Sequence, residues 1–113
     1  MSYDILTIPP FDRQLKRLLK KYPSLKKDFN DFLDELETNP IQGTELGKNC
    51  YKIRLKISSK NKGKSAGARV ITNVAVINKI VFLLAIYDKG EQDTLSNKEL
   101  KTLISLIPDI EGL

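Results

Sequence analysis

The chain has 113 residues, 41% of them hydrophobic, and a formal net charge of +5, which fits one globular domain with an ordinary core. It has a single cysteine, Cys50, and no histidine. This composition excludes an internal disulfide and histidine-based triads and argues against a zinc site, so we expect no metal and no cofactor. We expect a cytoplasmic protein, because the N-terminus lacks a secretory pattern and no apolar run approaches the roughly 18 residues of a membrane span.

The N-terminal third predicts a strand followed by two helices. Tyr3–Ile8 has the composition of a short strand, and Pro9 and Pro10 end it and are tolerated in the first turn of a helix. Apolar residues then recur at helical spacing in two runs separated by Pro23. The first run contains Phe11, Leu15, Leu18, Leu19 and Tyr22, and the second contains Leu25, Phe29, Phe32, Leu33 and Leu36. These two stripes predict a helical hairpin.

The middle of the chain predicts a loop and then three strands. We expect a loop over Ile41–Asn49, after which the apolar period changes to 2. Tyr51, Ile53, Leu55 and Ile57 alternate with Lys52, Arg54 and Lys56. This alternation predicts a half-buried strand with a basic outer face. The polar loop Ser58–Gly67 precedes a second strand, Ala68–Ile77, and the almost wholly apolar Ile80–Tyr87 predicts a third strand that is buried on both faces.

The C-terminal part predicts one more helix. Ser96-Asn97-Lys98-Glu99 is a capping box, and Pro108 ends the apolar stripe that follows it. The element order is therefore β-α-α-β-β-β-α. It predicts an α+β fold with a small antiparallel sheet, an N-terminal helical hairpin and a C-terminal helix. With neither repeat nor linker, residues 1–113 are expected to form a single domain.

The charges are distributed unevenly along the chain. No Asp or Glu occurs between Leu46 and Tyr87. The same stretch contains Lys48, Lys52, Arg54, Lys56, Lys60, Lys62, Lys64, Arg69 and Lys79. A one-sided positive field suits a polyanion, so nucleic acid or another strongly acidic partner is predicted; the alternative is an ordinary solvated lysine surface.

Lys, Arg and Tyr are the side chains that remain for catalysis. They suffice for attack of an RNA 2′-hydroxyl on its neighbouring phosphate, because the substrate supplies the nucleophile. The enzyme must deprotonate that hydroxyl, stabilise the charge on phosphorus and protonate the leaving 5′-oxygen. Arginine stabilises phosphate charge through bidentate contacts, and a lysine crowded by like charges can serve as a base.

Three segments resemble the RelE/ParE superfamily of toxins from type II toxin–antitoxin systems. They are Cys50–Arg54 with the basic loop that follows, Gly67–Ile71, and Tyr87–Glu91 followed by Asp93–Ser96 and a helix. Together with the element order, the resemblance covers essentially the whole chain. It implies a compact α+β fold and a cognate antitoxin protein encoded nearby. RelE-like members cleave mRNA on the ribosome, which is the activity that we expect here. A ParE-like inhibitor of DNA gyrase and a catalytically silent nucleic-acid-binding module of the same fold are the alternatives.

The resemblance also implies site residues. The expected catalytic residues are Arg69, Lys52, Arg54, Lys89 and Tyr87, of which Arg69 matches the arginine that contacts the scissile phosphate. The expected phosphate-binding residues are Lys56, Lys60, Lys62 and Lys64. The chain departs from the RelE pattern twice. Gly90 stands where the pattern has an arginine, and Leu95-Ser96 stand where it has a tyrosine, for which Tyr87 or Lys89 is the expected substitute.

Overall fold

The computed structural model of the chain describes residues 2–60, 66–92 and 94–108. Within these ranges the elements are β1 Asp4–Thr7, α1 Pro9–Lys21, α2 Leu25–Thr38, β2 Thr44–Gly47, β3 Cys50–Leu55, β4 Ala68–Ala75, β5 Ile80–Asp88 and α3 Asn97–Ser105. A short 3₁₀ turn, Ser58–Lys60, follows β3. The predicted α+β fold class is confirmed. None of the helices in these ranges is both long and apolar enough to cross a membrane.

The strands form one mixed sheet in the order β1-β5-β4-β3-β2. The pairs β5–β4, β4–β3 and β3–β2 are antiparallel, whereas β1 lies parallel to β5, with Asp4 opposite Ile80 and Thr7 opposite Leu83. The sheet is therefore mixed, whereas an antiparallel sheet was predicted from the sequence. Apolar alternation identifies a strand but carries no information on the direction of its neighbour.

The segment predicted as a loop before β3 contains an additional strand. Thr44 of β2 lies opposite Lys52, and the β2–β3 hairpin closes through Lys48 (φ 53°) and Asn49 (φ 62°), both in the left-handed region. Positive φ at both central residues is the geometry of a tight hairpin turn. The loop predicted over Ile41–Asn49 was therefore wrong for Thr44–Gly47, which form β2. All four residues of β2 are exposed, so no apolar alternation marks the strand.

Strand β5 is buried at every position, as its apolar sequence predicts. Helix α1 packs against it and buries Phe11 and Leu18, and α3 also contacts it. Beyond the last residue of β1, the side chain of Gln14 replaces a neighbouring strand, since its Oε1 accepts a hydrogen bond of 3.1 Å from the Ile86 backbone N–H. This bond satisfies a backbone donor that the short β1 leaves uncovered. The C-terminal end of β5 is thereby fixed against α1.

A serine precedes both α2 and α3, but only one of the two caps its helix. Ser96 caps α3 as predicted: its Oγ accepts from the Glu99 N–H at 3.1 Å, and the Glu99 carboxylate accepts from the Ser96 N–H at 3.2 Å. Ser24 precedes α2 but makes no capping bond within the helix. Its Oγ instead accepts from the Ser59 N–H at 3.1 Å. Ser24 therefore connects α2 to the turn after β3.

Candidate active site

The sheet register places three of the expected catalytic residues in one row. Arg54 of β3 lies opposite Arg69 of β4, and Arg69 lies opposite Tyr87 of β5. Directly opposite residues of antiparallel strands project from the same face of a sheet. Lys52 precedes Arg54 by two residues and so shares that face. The alternation predicted for β3 and the pairing of β3 with β4 therefore place cations side by side on neighbouring strands.

A groove over this part of the sheet is lined by Thr44, Lys52, Arg54, Arg69, Lys89 and Thr94. Its cations come from β3, from β4 and from the turn after β5. None of the lining residues that the structure describes is Asp or Glu. The structure thus brings together four of the five residues that were expected to be catalytic; the fifth, Tyr87, is not among those that line the groove.

Arg69 is a buried cation at the groove, with only 5% of its surface exposed. Its Nη1 donates to the carbonyl oxygen of Ala68 at 3.1 Å. Charged side chains are rarely buried to this extent, and opposite Arg69 lies a second arginine, Arg54, which is exposed. Like charges at directly opposite strand positions destabilise a sheet. The row thus places two cations on neighbouring strands, one of them buried and the other exposed.

Lys89 reaches the same groove from the turn that follows β5. It is exposed, and its backbone N–H donates to the Gly67 carbonyl oxygen at 3.1 Å. Because Gly67 lies two residues before Arg69, this bond connects the turn to the start of β4. Lys89 and Arg69 are thereby held at adjacent strand ends.

Two expected site residues are not among those that line the groove. Lys56 lines a neighbouring cavity beside α2, which it shares with Arg54 of the groove and with the acidic residues Asp28, Asp31 and Glu35. Tyr87 is 3% exposed and belongs to the core. It lies opposite Arg69 on the neighbouring strand β5, where it is shielded from solvent.

The lysines of the loop after β3 were expected to bind phosphate. Lys60 turns toward the protein: its Nζ donates to the Asp88 carboxylate at 2.5 Å and to the Ala66 carbonyl oxygen at 2.9 Å. Lys62 and Lys64 lie outside the described residues. For this loop, the structure thus describes one lysine, and that lysine is engaged in an internal ion pair.

A buried polar cluster at the end of β5 was not predicted from the sequence. Asp88 is 2% exposed. One carboxylate oxygen accepts from Lys60 Nζ at 2.5 Å and from the Gly90 N–H at 2.9 Å, and the other accepts from Tyr22 Oη at 2.6 Å. Burial by itself raises the pKa of Asp88, but the hydrogen bonds from Lys60 and Tyr22 outweigh it and hold the pKa below its ordinary value. The one sequence signal is a carboxylate that ends an otherwise apolar strand.

A second feature that was missed is the basic stripe on α1. It consists of exposed residues at helical spacing: Arg13, Lys16, Arg17, Lys20 and Lys21. Arg17 and Lys21 pair with Glu91 at 3.0 and 3.3 Å, two residues beyond Lys89, so the stripe adjoins the turn at the groove. The other three have no carboxylate partner within the part of the chain that the structure describes. The spacing that revealed the apolar face of α1 would also have revealed this stripe.

Comparison with known proteins identifies the family. The family model described as RelE toxin of RelE / RelB toxin-antitoxin system matches residues 11–110. The fold resembles that of an E. coli RelE toxin mutant in the free state, in which two arginines are replaced by alanine, with a TM-score of 0.58 and 21% identity over 94% of each chain. It also resembles the isolated E. coli RelE toxin, with a TM-score of 0.55 and 18% identity over 93% of this chain and 99% of that one. The family match spans most of the sequence, and the chain therefore belongs to the RelE toxin family.

Proposed function

We propose that this toxin is an endoribonuclease that cleaves mRNA on the ribosome. The observation that carries the proposal is the groove in which Lys52, Arg54, Arg69 and Lys89 converge without a carboxylate among the described lining residues. Clustered cations repel one another, and an RNA phosphate is the ligand that relieves that repulsion. A buried arginine among them supplies the fixed charge that phosphate chemistry requires.

In the proposed reaction the RNA provides its own nucleophile. A base removes the proton from the 2′-hydroxyl, the 2′-oxygen attacks phosphorus, and the bond to the 5′-oxygen breaks as that oxygen gains a proton. The products are a 2′,3′-cyclic phosphate and a 5′-hydroxyl. Arg69 stabilises the additional charge on phosphorus through a planar, two-point contact.

The strand order suggests how the proton transfers are divided. Lys52 on β3 and Lys89 after β5 lie on opposite sides of Arg69 on β4. The attacking and leaving oxygens lie on opposite sides of phosphorus in an in-line displacement. We therefore assign one proton transfer to each lysine, and Arg54 to substrate binding. Tyr87, which is buried, supports Arg69 within the row.

Two partner surfaces follow from this proposal. The basic stripe on α1 adjoins the groove and extends the surface available to ribosomal RNA phosphates. We also propose that a nearby gene encodes the cognate antitoxin, and that an acidic or amphipathic segment of it folds onto the basic groove.

Mapping of transcript ends after expression of the toxin alone tests the proposed function. Cuts inside translated codons are expected, and an Arg69→Ala variant should produce few of them. Growth arrest with altered DNA supercoiling and intact transcripts would contradict the proposal and indicate a gyrase inhibitor. Intact transcripts with unaltered supercoiling would contradict it as well, and would leave a silent binding module.

A further inference from the structure

The turn that carries Lys89 is closed by Asp88. The carbonyl oxygen of Asp88 accepts hydrogen bonds from the N–H groups of Glu91 and Gln92, each at 3.0 Å. Its carboxylate accepts from the Gly90 N–H at 2.9 Å. The three backbone N–H groups that follow Lys89 thus all donate to Asp88. Because Asp88 does not line the groove, its effect on the site runs through the conformation of this turn.

The Asp88 carboxylate is anchored by two other segments of the chain. Tyr22, at the end of α1, donates its hydroxyl at 2.6 Å, and Lys60, in the turn after β3, donates at 2.5 Å. Lys60 Nζ also lies over the Tyr22 ring, 5.4 Å from its centroid. The three side chains bring α1, the loop after β3 and the turn after β5 to one point. Charge-assisted hydrogen bonds of this kind are among the stronger polar interactions in proteins.

Gly90 is one of the two positions at which this chain departs from the RelE pattern, and it lies against the cluster. A β-carbon at position 90 would lie 3.3 Å from the Asp88 carboxylate oxygen and 3.7 Å from Lys60 Nζ. The first distance is shorter than ordinary van der Waals contacts. A side chain at this position would therefore press on the cluster, and glycine lets the turn fold closely over the carboxylate.

We propose that Asp88 is a positioning residue: held by Tyr22 and Lys60, it fixes the turn that presents Lys89 to the groove. The proposal rests on the proposed function in one respect, namely that Lys89 acts on RNA. It also gives Lys60 a role that the sequence analysis did not foresee. Lys60 anchors the turn from inside the protein, while the groove is left to the cations of the sheet and to Lys89.

The test uses Tyr22→Phe, which removes one donor from Asp88 and keeps the aromatic ring. The single-turnover rate of cleavage at saturating ribosomes should fall roughly tenfold, less than the about 100-fold that a misplacement of about 1 Å can cost. The half-saturating ribosome concentration should stay unchanged. In a Lys89→Ala background the same substitution should cause no further loss, because positioning matters only while Lys89 is present.

A matched control is Lys27→Met, which breaks the exposed 3.0 Å pair between Lys27 and Asp31 on α2 and should leave the rate at the wild-type level. The proposal is overturned if Tyr22→Phe cleaves at the wild-type rate. It is equally overturned if Tyr22→Phe lowers the rate by the same factor with and without Lys89, since the effect would then be general.

A second measurement does not depend on cleavage. Cys50 is fully buried, so a nitroxide attached to a Lys89→Cys variant reports on position 89. The label should become more mobile when Tyr22→Phe is added, and more again with Asp88→Asn if that variant folds. Greater mobility in a toxin that cleaves no RNA would support the positioning role while the proposed function fails. Unchanged mobility in an active toxin would overturn the positioning role alone.

Discussion

Arg69 and Lys89 reach the same groove under different restraints. Arg69 lies on β4, in the middle of the sheet, and is almost wholly buried. Lys89 is exposed and lies in a turn, whose conformation depends on Asp88. Rigidity in the sheet suits a residue that stabilises charge, whereas a restrained but accessible side chain suits proton transfer. The two residues therefore call for different tests.

The buried carboxylate makes folding stability depend on acid pH. Although burial raises the pKa of Asp88, the hydrogen bonds from Lys60 and Tyr22 bring it below the ordinary value, which is about 3.9 in an unfolded chain. The stabilisation is therefore complete above that unfolded value and is lost as the pH falls through the folded one. The free energy of unfolding, measured by urea melts, should fall as the pH is lowered from about 5 to about 3.

Asp88→Asn should flatten this pH dependence, because the amide carries no charge to titrate. The control is Asp31→Asn, which changes an exposed carboxylate on α2 and should leave most of the slope. Glu91, whose pKa is lowered by its hydrogen bond from Arg17, shifts stability in the same direction from an exposed site. A full wild-type slope in Asp88→Asn would show that Asp88 contributes nothing to acid sensitivity.

Apolar periodicity predicted the helices and strands that bury an apolar face. The stripes of α1 and α2, the alternation in β3 and the apolar run of β5 all correspond to elements of the structure. Strand β2 escaped prediction because it is exposed along its whole length. The parallel pairing of β1 with β5 was not predicted either. The direction of β1 relative to β5 depends on how the chain returns through the helical hairpin, which a local sequence pattern does not encode.

The basic stripe on α1 should contribute to ribosome binding through phosphate contacts. We expect the triple variant Arg13→Gln, Lys16→Gln and Lys20→Gln to reduce the slope of log affinity against log salt by about 2 to 3, at roughly 0.7 to 0.9 per phosphate contact. Cleavage at saturating ribosomes should stay near the wild-type rate. Equilibrium binding at several salt concentrations measures the slope.

The control for the stripe removes the same charge elsewhere. Lys26, Lys98 and Lys101 are exposed lysines on α2 and α3, and changing them to glutamine should alter the slope less. Equal effects of the two triple variants would mean that net charge, and not the α1 surface, determines binding.

The folded sheet brings residues that are distant in sequence to one surface. The cations of the groove were expected from sequence, since strand alternation and the family resemblance both indicated them. The engagement of Lys60 away from the groove was not, because it depends on partners far along the chain. Lys60 meets Asp88 across 28 positions, and Tyr22 meets it across 66. Contacts at such separations leave no periodic signal in the sequence.

The proposed mechanism requires a fixed arginine in the cationic groove that stabilises charge on the scissile phosphate. The most direct measurement is the single-turnover rate of mRNA cleavage on programmed ribosomes, with thermal melts of each variant in parallel. Arg69→Met retains an apolar stem of similar length and should lower the rate by about two to three orders of magnitude. Arg69→Lys should recover only part of that loss, since an ammonium group does not bind two phosphate oxygens in one plane. A folded Arg69→Met protein that cleaves at the wild-type rate would show that Arg69 does not stabilise charge on the phosphate.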